Sequence, residues 1–510
     1  MTDINRDTGF FGHPKGLQTL FFTEMWERMS YYGMRALLIL FMTATLEEGG
    51  LALTVASASA IYGLYTGAVY FMGLPGGWLA DRLMGGQKAV WYGGIIIMCG
   101  HIVLAIPSDA TFFIGLILVV LGTGLLKPNI SALVGQLYEP GDQRQDSGYI
   151  LYYMGINIGS VIGYIVCGVL QVQAGWHYAF GAAAVGMFLG LVQFHLTRDK
   201  LNGVSAEPTS PLSAGAQKMT WSAIFVFLAA TAMITYLIMA DVLSFNPTII
   251  AQWTAGAIAV LFCGYYIAIL VFGKLNRDEM KSLGALFLVC VASVFFWSGF
   301  EQAGSSLNLF AQDYTERMVF GWEIPTAWFQ SANSVFIITL SPFIAALWIN
   351  LAKRMITPTY GVKCALGLII MGSGFIVMFF AAQIAASGLK AAPYFLVATY
   401  FLHTVGELCL SPVALSAVSR LSPRRFAGQM MGVFVLTYSM GNIIAGLVAG
   451  NFDPENVESM PDLFKQISIF IIGSGIVVWA LSFFTKSWEK AADKPENTKS
   501  DNSAYATDTP

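Results

Sequence analysis

The sequence predicts an all-α polytopic membrane protein of fourteen transmembrane helices: two six-helix bundles with two additional helices between them. Three observations carry this. Hydrophobic residues make up 56% of the 510-residue chain and charged residues only 11%, whereas soluble globular proteins carry about 25% charge. Apolar runs of about 20 residues, enough to cross a bilayer, recur along the chain. Polar breaks group those runs as six, two and six.

A cytoplasmic N-terminus, 1–17, precedes the N-terminal bundle at 18–196. Its spans are expected near 18–44, 55–80, 87–106, 111–133, 148–170 and 177–196. Pro208, Pro211 and several Ser and Gly mark a cytoplasmic linker at 197–219. The additional helices near 220–240 and 253–273 (segment 220–273) carry no intramembrane charge, so they read as peripheral. A second cytoplasmic linker, 274–281, leads into the C-terminal bundle at 282–485. Spans are expected there near 282–311, 326–351, 362–386, 391–418, 426–450 and 464–485. The tail 486–510 is polar enough to read as a disordered cytoplasmic segment.

Loop charges orient the helices. Alternate loops carry Arg82, Lys88, Arg144, Arg198, Lys200, Lys218, Lys274, Arg277, Lys281, Lys353, Arg354, Lys363, Arg420, Arg424 and Arg425. The intervening loops carry only Arg317, Lys390 and Lys465. By the positive-inside rule the first set faces the cytoplasm, and an even number of spans puts both termini there.

What the loops and termini do not absorb lies at membrane depth: Arg28, Arg35 and Lys127, with Glu24, Glu27, Glu301 and Glu407. Glu24, Glu27, Arg28, Tyr31 and Arg35 fall at i, i+3, i+4, i+7 and i+11, which is one face of a helix. Each charge at the bilayer centre costs at least ~2.5 kcal/mol, so such residues pair or line a water-filled path and mark function.

Several classes are excluded. A net charge of −3 with no basic tract argues against a nucleic-acid partner. No HExxH, GxSxG or GxxxxGK[ST] pattern is present, so neither an enzyme nor an ATP-driven pump is expected. No cleavable signal is apparent before the first span. Cys99, Cys167, Cys263, Cys290, Cys364 and Cys409 lie in apolar runs without metal spacing and read as buried hydrophobes, with no disulfide and no metal.

Specific motifs narrow the class. Gly76-Gly77-Trp78-Leu79-Ala80-Asp81-Arg82-Leu83-Met84-Gly85 resembles the loop between the second and third helices of the major facilitator superfamily. The segment from Glu24 through Glu27-Arg28 to Tyr31-Tyr32-Gly33 resembles the ExxER signature of the proton-dependent oligopeptide transporters. Tyr152-Tyr153-Met154-Gly155-Ile156-Asn157-Ile158-Gly159-Ser160 and Phe295-Phe296-Trp297-Ser298-Gly299-Phe300-Glu301-Gln302 are similar to that family's helix-five and helix-seven segments. The extra helix pair is also typical of its bacterial members.

The resemblance implies a symporter in the bacterial inner membrane that imports di- and tripeptides by alternating access, driven by the proton gradient without a cofactor. Its implied partners are di- and tripeptides, protons and the lipid bilayer. Arg35 and Lys127 would hold the peptide carboxylate, as guanidinium fork and point charge. Glu407 would take the α-amino group, with Asn157, Asn333 and the weaker candidate Ser411 around it. Tyr31, Tyr32, Tyr70 and Trp297 would pack on peptide side chains and backbone. Proton coupling is assigned to Glu24, Glu27, Arg28, Lys127 and Glu301. Gating salt bridges are assigned to Arg35 with Glu301 and Lys127 with Glu407.

Departures from the family pattern also matter. Gly63 stands in the neighbourhood where animal members carry a coupling histidine, so coupling must use carboxylates. Phe434 replaces a pocket tryptophan of some bacterial relatives, which would enlarge the side-chain pocket. His403, one turn before Glu407, reads as a satisfied interior histidine. The alternative function is a proton-coupled carrier of another anionic or zwitterionic solute, such as nitrate or a modified amino acid.

Overall fold

A computed structural model describes residues 8–139 and 141–489. Positions 1–7 and the part of the expected disordered tail from 490 onward lie outside the described residues. The first bundle comprises α1 (Lys15–Thr43), α2 (Val55–Phe71), α3 (Gly73–Leu79), α4 (Gly86–Leu104), α5 (Asp109–Gln136), α6 (Gln145–Ala174) and α7 (Trp176–Thr197). The additional pair is α8 (Ala214–Met239) and α9 (Pro247–Phe272). The second bundle comprises α10 (Arg277–Phe300), α11 (Ser306–Asp313), α12 (Trp328–Lys353) and α13 (Tyr360–Ala386), then α14 (Tyr394–Leu421), α15 (Ala427–Ala449) and α16 (Met460–Glu489).

With α2–α3 and α10–α11 each making one crossing, the described residues make fourteen crossings. Thirteen crossings are long and apolar enough to span a membrane by composition. The fourteenth, α1, is 29 residues long and buries Glu24, Glu27, Arg28 and Arg35 in its body. The protein is therefore a multi-pass membrane protein.

Two expected spans are interrupted, each for a local reason. The second breaks at Met72, where Gly73, Pro75, Gly76 and Gly77 follow and Pro75 has no N–H to donate. The motif read as a loop is mostly helical: α3 runs into a π turn at Ala80–Met84, and Gly85, at φ +81°, turns the chain into α4. The span expected at 282–311 stops at Phe300, passes through a 3₁₀ turn at Glu301–Gly304 and resumes as α11. That break coincides with a functional candidate.

Smaller corrections follow. The linker expected at 197–219 shrinks, because α8 begins at Ala214, capped by the Ser213 hydroxyl. It is also pinned: Ser210 and Leu212 donate backbone N–H bonds to the carbonyls of Asp81 and Arg82. The expected tail at 486–510 begins late, since α16 continues through Lys486 to Glu489. A short antiparallel hairpin, β1 (Met318–Val319) with β2 (Trp322–Glu323), departs from the all-α expectation. Its two-residue turn has Phe320 at φ +53° and Gly321 at φ +80°, the geometry that suits the twist of paired strands.

Within the first bundle, small residues let backbones meet. A Cβ on Gly159 of α6 would collide with the Met25 carbonyl of α1, and one on Gly163 would collide with that of Met29. This contact holds the charged face of α1 in place. The additional pair is not uniformly peripheral: α8 buries no residue, but α9 buries Ala251, Ile258, Phe262, Tyr266 and Ile269 and packs on α2 and α15, one helix from each bundle. All six cysteines are free, yet Cys99 and Cys263 are exposed rather than buried.

Candidate functional site

Between the bundles lies a cavity of about 1830 Å³. Its walls include Tyr149, Tyr152 and Tyr153 of α6, Ser341 and Trp348 of α12, Lys363 of α13 and Glu407, Ser411 and Arg420 of α14. These positions lie toward the start of α6 and α13 and the ends of α12 and α14. The cavity therefore opens on the face where α1 begins and α16 ends.

The opposite face is closed by contacts between bundles. Arg35 of α1 forms a salt bridge with Glu301 through Nη2 and donates from Nε to the Tyr62 hydroxyl of α2 at 2.6 Å. The 3₁₀ break makes this possible. Gly304 leaves room for Tyr62, since a Cβ there would overlap the Tyr62 hydroxyl. Asn308 of α11 donates to the Ala36 carbonyl at 2.7 Å. Ser160 of α6 and Ser334 of α12 share a hydrogen bond at 2.5 Å. On α2 and α15, Gly63 and Gly446 approach so closely that a Cβ on Gly446 would strike the Ser59 carbonyl.

A second charged cluster lies nearer the cavity's open end. Arg28 bridges Glu24, at 3.1 Å, and Glu27. All three are almost fully buried, and Glu24 Oε2, Glu27 Oε1 and Arg28 Nη2 have no hydrogen-bond partner among the described residues. The Arg28 guanidinium also lies 5.0 Å from the Tyr31 ring centre and 5.8 Å from that of Tyr32. Lys127 of α5 is within electrostatic range of Glu27, Glu24, Arg28 and Arg35. Its Nζ sits 4.2 Å from the centre of the Tyr70 ring, a cation–π contact.

Glu407 has a different partner from the one expected. Asn333 of α12 donates to Glu407 Oε2 at 3.1 Å and to the Thr404 hydroxyl at 3.0 Å. Among the described residues Lys127 and Glu407 form no salt bridge, so of the two expected gating pairs only Arg35–Glu301 is closed in this conformation. Asn157 is buried and bonds its own helix at the Tyr153 carbonyl, 2.9 Å away. Ser411 lines the cavity and interacts with the Tyr438 hydroxyl.

Aromatic residues join the poles. Tyr70 stacks on Tyr438 of α15 at 5.3 Å, and Trp297 packs on the same ring at 4.8 Å. The Trp297 indole N–H is buried without a partner among the described residues. Tyr31 stacks on Tyr65 at 6.5 Å and is 3% exposed, so it packs behind the surface rather than lining it. Phe434, expected to leave more room than the tryptophan of some relatives, is buried with its ring edge-on to Tyr438 at 5.3 Å. His403 is buried between Phe375 and Phe300 with neither ring nitrogen partnered among the described residues, so it is not satisfied as expected.

Tyr62 escaped the sequence reading. Its available signal was a polar stripe, Tyr62, Thr66 and Tyr70, repeating every four residues through an apolar helix. Ser334 offered no comparable signal, because one serine in an apolar run is commonplace.

Comparison with known proteins bears on this arrangement. A model of the POT family matches residues 87–466. The chain is 43% identical over 475 residues to the peptide transporter YePEPT of Yersinia enterocolitica, covering 91% of this chain and 93% of that one. It is 34% identical over 454 residues to a di-/tripeptide transporter of Lactococcus lactis subsp. cremoris, covering 87% and 91%. A crystal structure of a peptide transporter POT in complex with sulfate superposes with a TM-score of 0.88 at 38% identity, over 96% of this chain and 99% of that one.

Proposed function

We propose that this chain, which belongs to the POT family, imports di- and tripeptides with protons across the bacterial inner membrane, with both termini in the cytoplasm. The observation that carries the reading is the Arg35–Tyr62–Glu301 lock, joining the two bundles on the face opposite an open cavity that Glu407 and Ser411 line. A small peptide is a zwitterion. Arg35 and Lys127 offer a cationic pole to its carboxylate, and Glu407, oriented by Asn333, offers an anionic pole to its amine. Tyr32, Tyr70 and Trp297 supply apolar walls between them. Recognition of the termini leaves side chains loosely specified. The names of the Yersinia and Lactococcus relatives support the peptide reading.

The chemistry is conformational. A proton on Glu301 removes the negative partner of Arg35 and weakens the closed outer face, favouring outward opening. Peptide carboxylate on Arg35 competes for the same guanidinium. Loss of the proton to the cytoplasm restores the pair, and the cavity reopens inward. Inward movement of one charge down a membrane potential supplies about 2.3 kcal/mol per 100 mV, so an electrically neutral peptide carried with a proton is accumulated without ATP.

The test is uptake of labelled di-alanine by protein in liposomes with an inward proton gradient. Accumulation that unlabelled di- and tripeptides compete away is expected, and its absence would overturn the peptide assignment. Glu301→Gln should abolish gradient-driven accumulation while sparing peptide exchange without a gradient. Intact accumulation by that variant would remove Glu301 from the coupling scheme.

A further inference from the structure

The open cavity is lined by Glu407 but by neither Arg35 nor Lys127. In this conformation Arg35 is held by Glu301 and Tyr62, and Lys127 lies over Tyr70. The cations on the cavity wall are instead Lys363, Arg420 and Lys486, and none of them forms a salt bridge among the described residues. The second acid of the wall, Glu489, is engaged elsewhere. Its carboxylate accepts from the backbone N–H of Tyr360 at 2.9 Å and of Gly361 at 3.3 Å, donors that the start of α13 leaves open. Arg420 and Lys486 belong to the last turns of α14 and α16, nearer the rim. Lys363 reaches inward: its Nζ lies 4.9 Å from the centre of the Trp348 ring, a wall residue of α12. It stands in the first turn of α13, where the positive end of the helix dipole disfavours a cation. Helix stability alone therefore gives no reason for a lysine there. Its depth follows from a close approach of backbones. A Cβ on Gly367 would sit 2.8 Å from the Gly406 carbonyl and 2.9 Å from Leu410 Cβ, so Gly367 is level with Glu407. Lys363 is one turn, about 5 Å, closer to the opening.

We infer that Lys363 is an exit station for the peptide: its ammonium takes the carboxylate once Arg35 has returned to Glu301, while the amine is still on Glu407. This rests on the reading of the protein as a peptide carrier. The cationic pole then changes with conformation, being Arg35 when the outer face is open and Lys363 when it is closed. An extended dipeptide spans about 7 Å and a tripeptide about 10 Å. Both lengths suit two poles set one turn apart in depth on neighbouring helices, with a long lysine stem to take up the difference. The Trp348 ring keeps the ammonium inside the cavity, and a cation–π contact is weak enough to be exchanged for a carboxylate. Nothing at the station holds a peptide side chain, so varied peptides leave by the same step.

The test is sidedness. Full-length protein is placed in liposomes in one orientation, and exchange of labelled di-alanine without a gradient is measured while peptide is varied on one face at a time. Lys363→Gln should raise the half-saturating concentration on the cytoplasmic face about tenfold and change that on the outer face less than twofold. Lys363→Arg, which keeps the charge, should restore the wild-type value. Inhibition from the cytoplasmic face by alanyl-alanine amide, which has no carboxylate, should be the same in wild type and Lys363→Gln. An unchanged cytoplasmic half-saturation in Lys363→Gln overturns the inference. So does an equal rise on both faces, which would give the lysine a structural role only. A greater loss of amide inhibition in Lys363→Gln would show that the lysine does not read the carboxylate, and overturns it as well. These failures require a wild-type protein that exchanges di-alanine. Wild-type protein that exchanges none would instead bring down the peptide reading, and the exit station with it.

Discussion

Single residues here are defined by what they leave unpaired. Arg28 holds two acids at once, and removing it takes away the cation that pairs with both Glu24 and Glu27. Breaking a buried pair typically costs about 3–5 kcal/mol, so Arg28→Ala should lower thermal stability in detergent and abolish uptake together. Asn333→Ala is gentler: it removes one donor to Glu407 and leaves the fold's charges balanced. A hydrogen bond to a charged group contributes about 1.5–3 kcal/mol, so the half-saturating peptide concentration should rise about tenfold or more, with the maximal exchange rate retained. Competition uptake measures this, and an unchanged half-saturation would remove Asn333 from the anionic pole. The acids and bases themselves were legible in the sequence, because a charge in an apolar run is costly and therefore conspicuous. Their partners were less so. Arg28–Glu24 follows from helical spacing, but Lys127 over Tyr70 and Asn333 on Glu407 depend on which helices face each other in this conformation.

Elements show the same division. Thirteen of the fourteen crossings stand out by hydropathy alone, since a run of about 20 apolar residues matches the thickness of the bilayer core, whereas α1 carries four charges in its body. The breaks at Met72 and after Phe300 do not stand out, because averaging over a window smooths out a single turn. The break after Phe300 matters most, since it brings Glu301 to Arg35 and admits Tyr62 against Gly304. The segment before α1 is likewise tied down in a way that composition hides. His13 Nδ1 meets the Tyr138 hydroxyl at 2.9 Å, and its Nε2 lies 3.4 Å from Ser147 Oγ at the start of α6. Arg144 donates to the Gly12 carbonyl at 3.2 Å and pairs with Asp142 at 2.7 Å. Burial, and then Arg144, hold the His13 pKa below its usual value of 6.5, with Asp142 opposing. The unfolded segment therefore binds a proton more readily than the docked one. Docking is fully favoured above about pH 6.5 and weakens as the pH falls below it. Hydrogen exchange, corrected for intrinsic rates, should show residues 9–16 losing protection between pH 7.5 and 5.5. His13→Gln should remove that pH dependence, and its persistence would assign the effect to another group.

At the scale of the whole molecule, the cavity is open on one face because the two bundles meet on the other. Arg35–Glu301, Ser160–Ser334, Asn308–Ala36 and Gly63–Gly446 come from different helices yet close the same side. Alternating access requires all of them to part together, so fixing any one should hold the molecule in this state. Ser160 and Ser334 suit such a test, because a 2.5 Å contact between their hydroxyls brings the side chains close enough for a disulfide. In a background with the exposed Cys99 and Cys263 replaced by alanine, Ser160→Cys with Ser334→Cys should lose uptake on oxidation and regain it on reduction. A cysteine placed at Ser411, on the cavity wall, should still react with a polar thiol reagent applied from the open face while the crosslink is intact. Retained uptake in the oxidised double variant would mean that α6 and α12 do not separate during transport. The outer gate would then be confined to the other contacts, α1 with α10–α11 and α2 with α15.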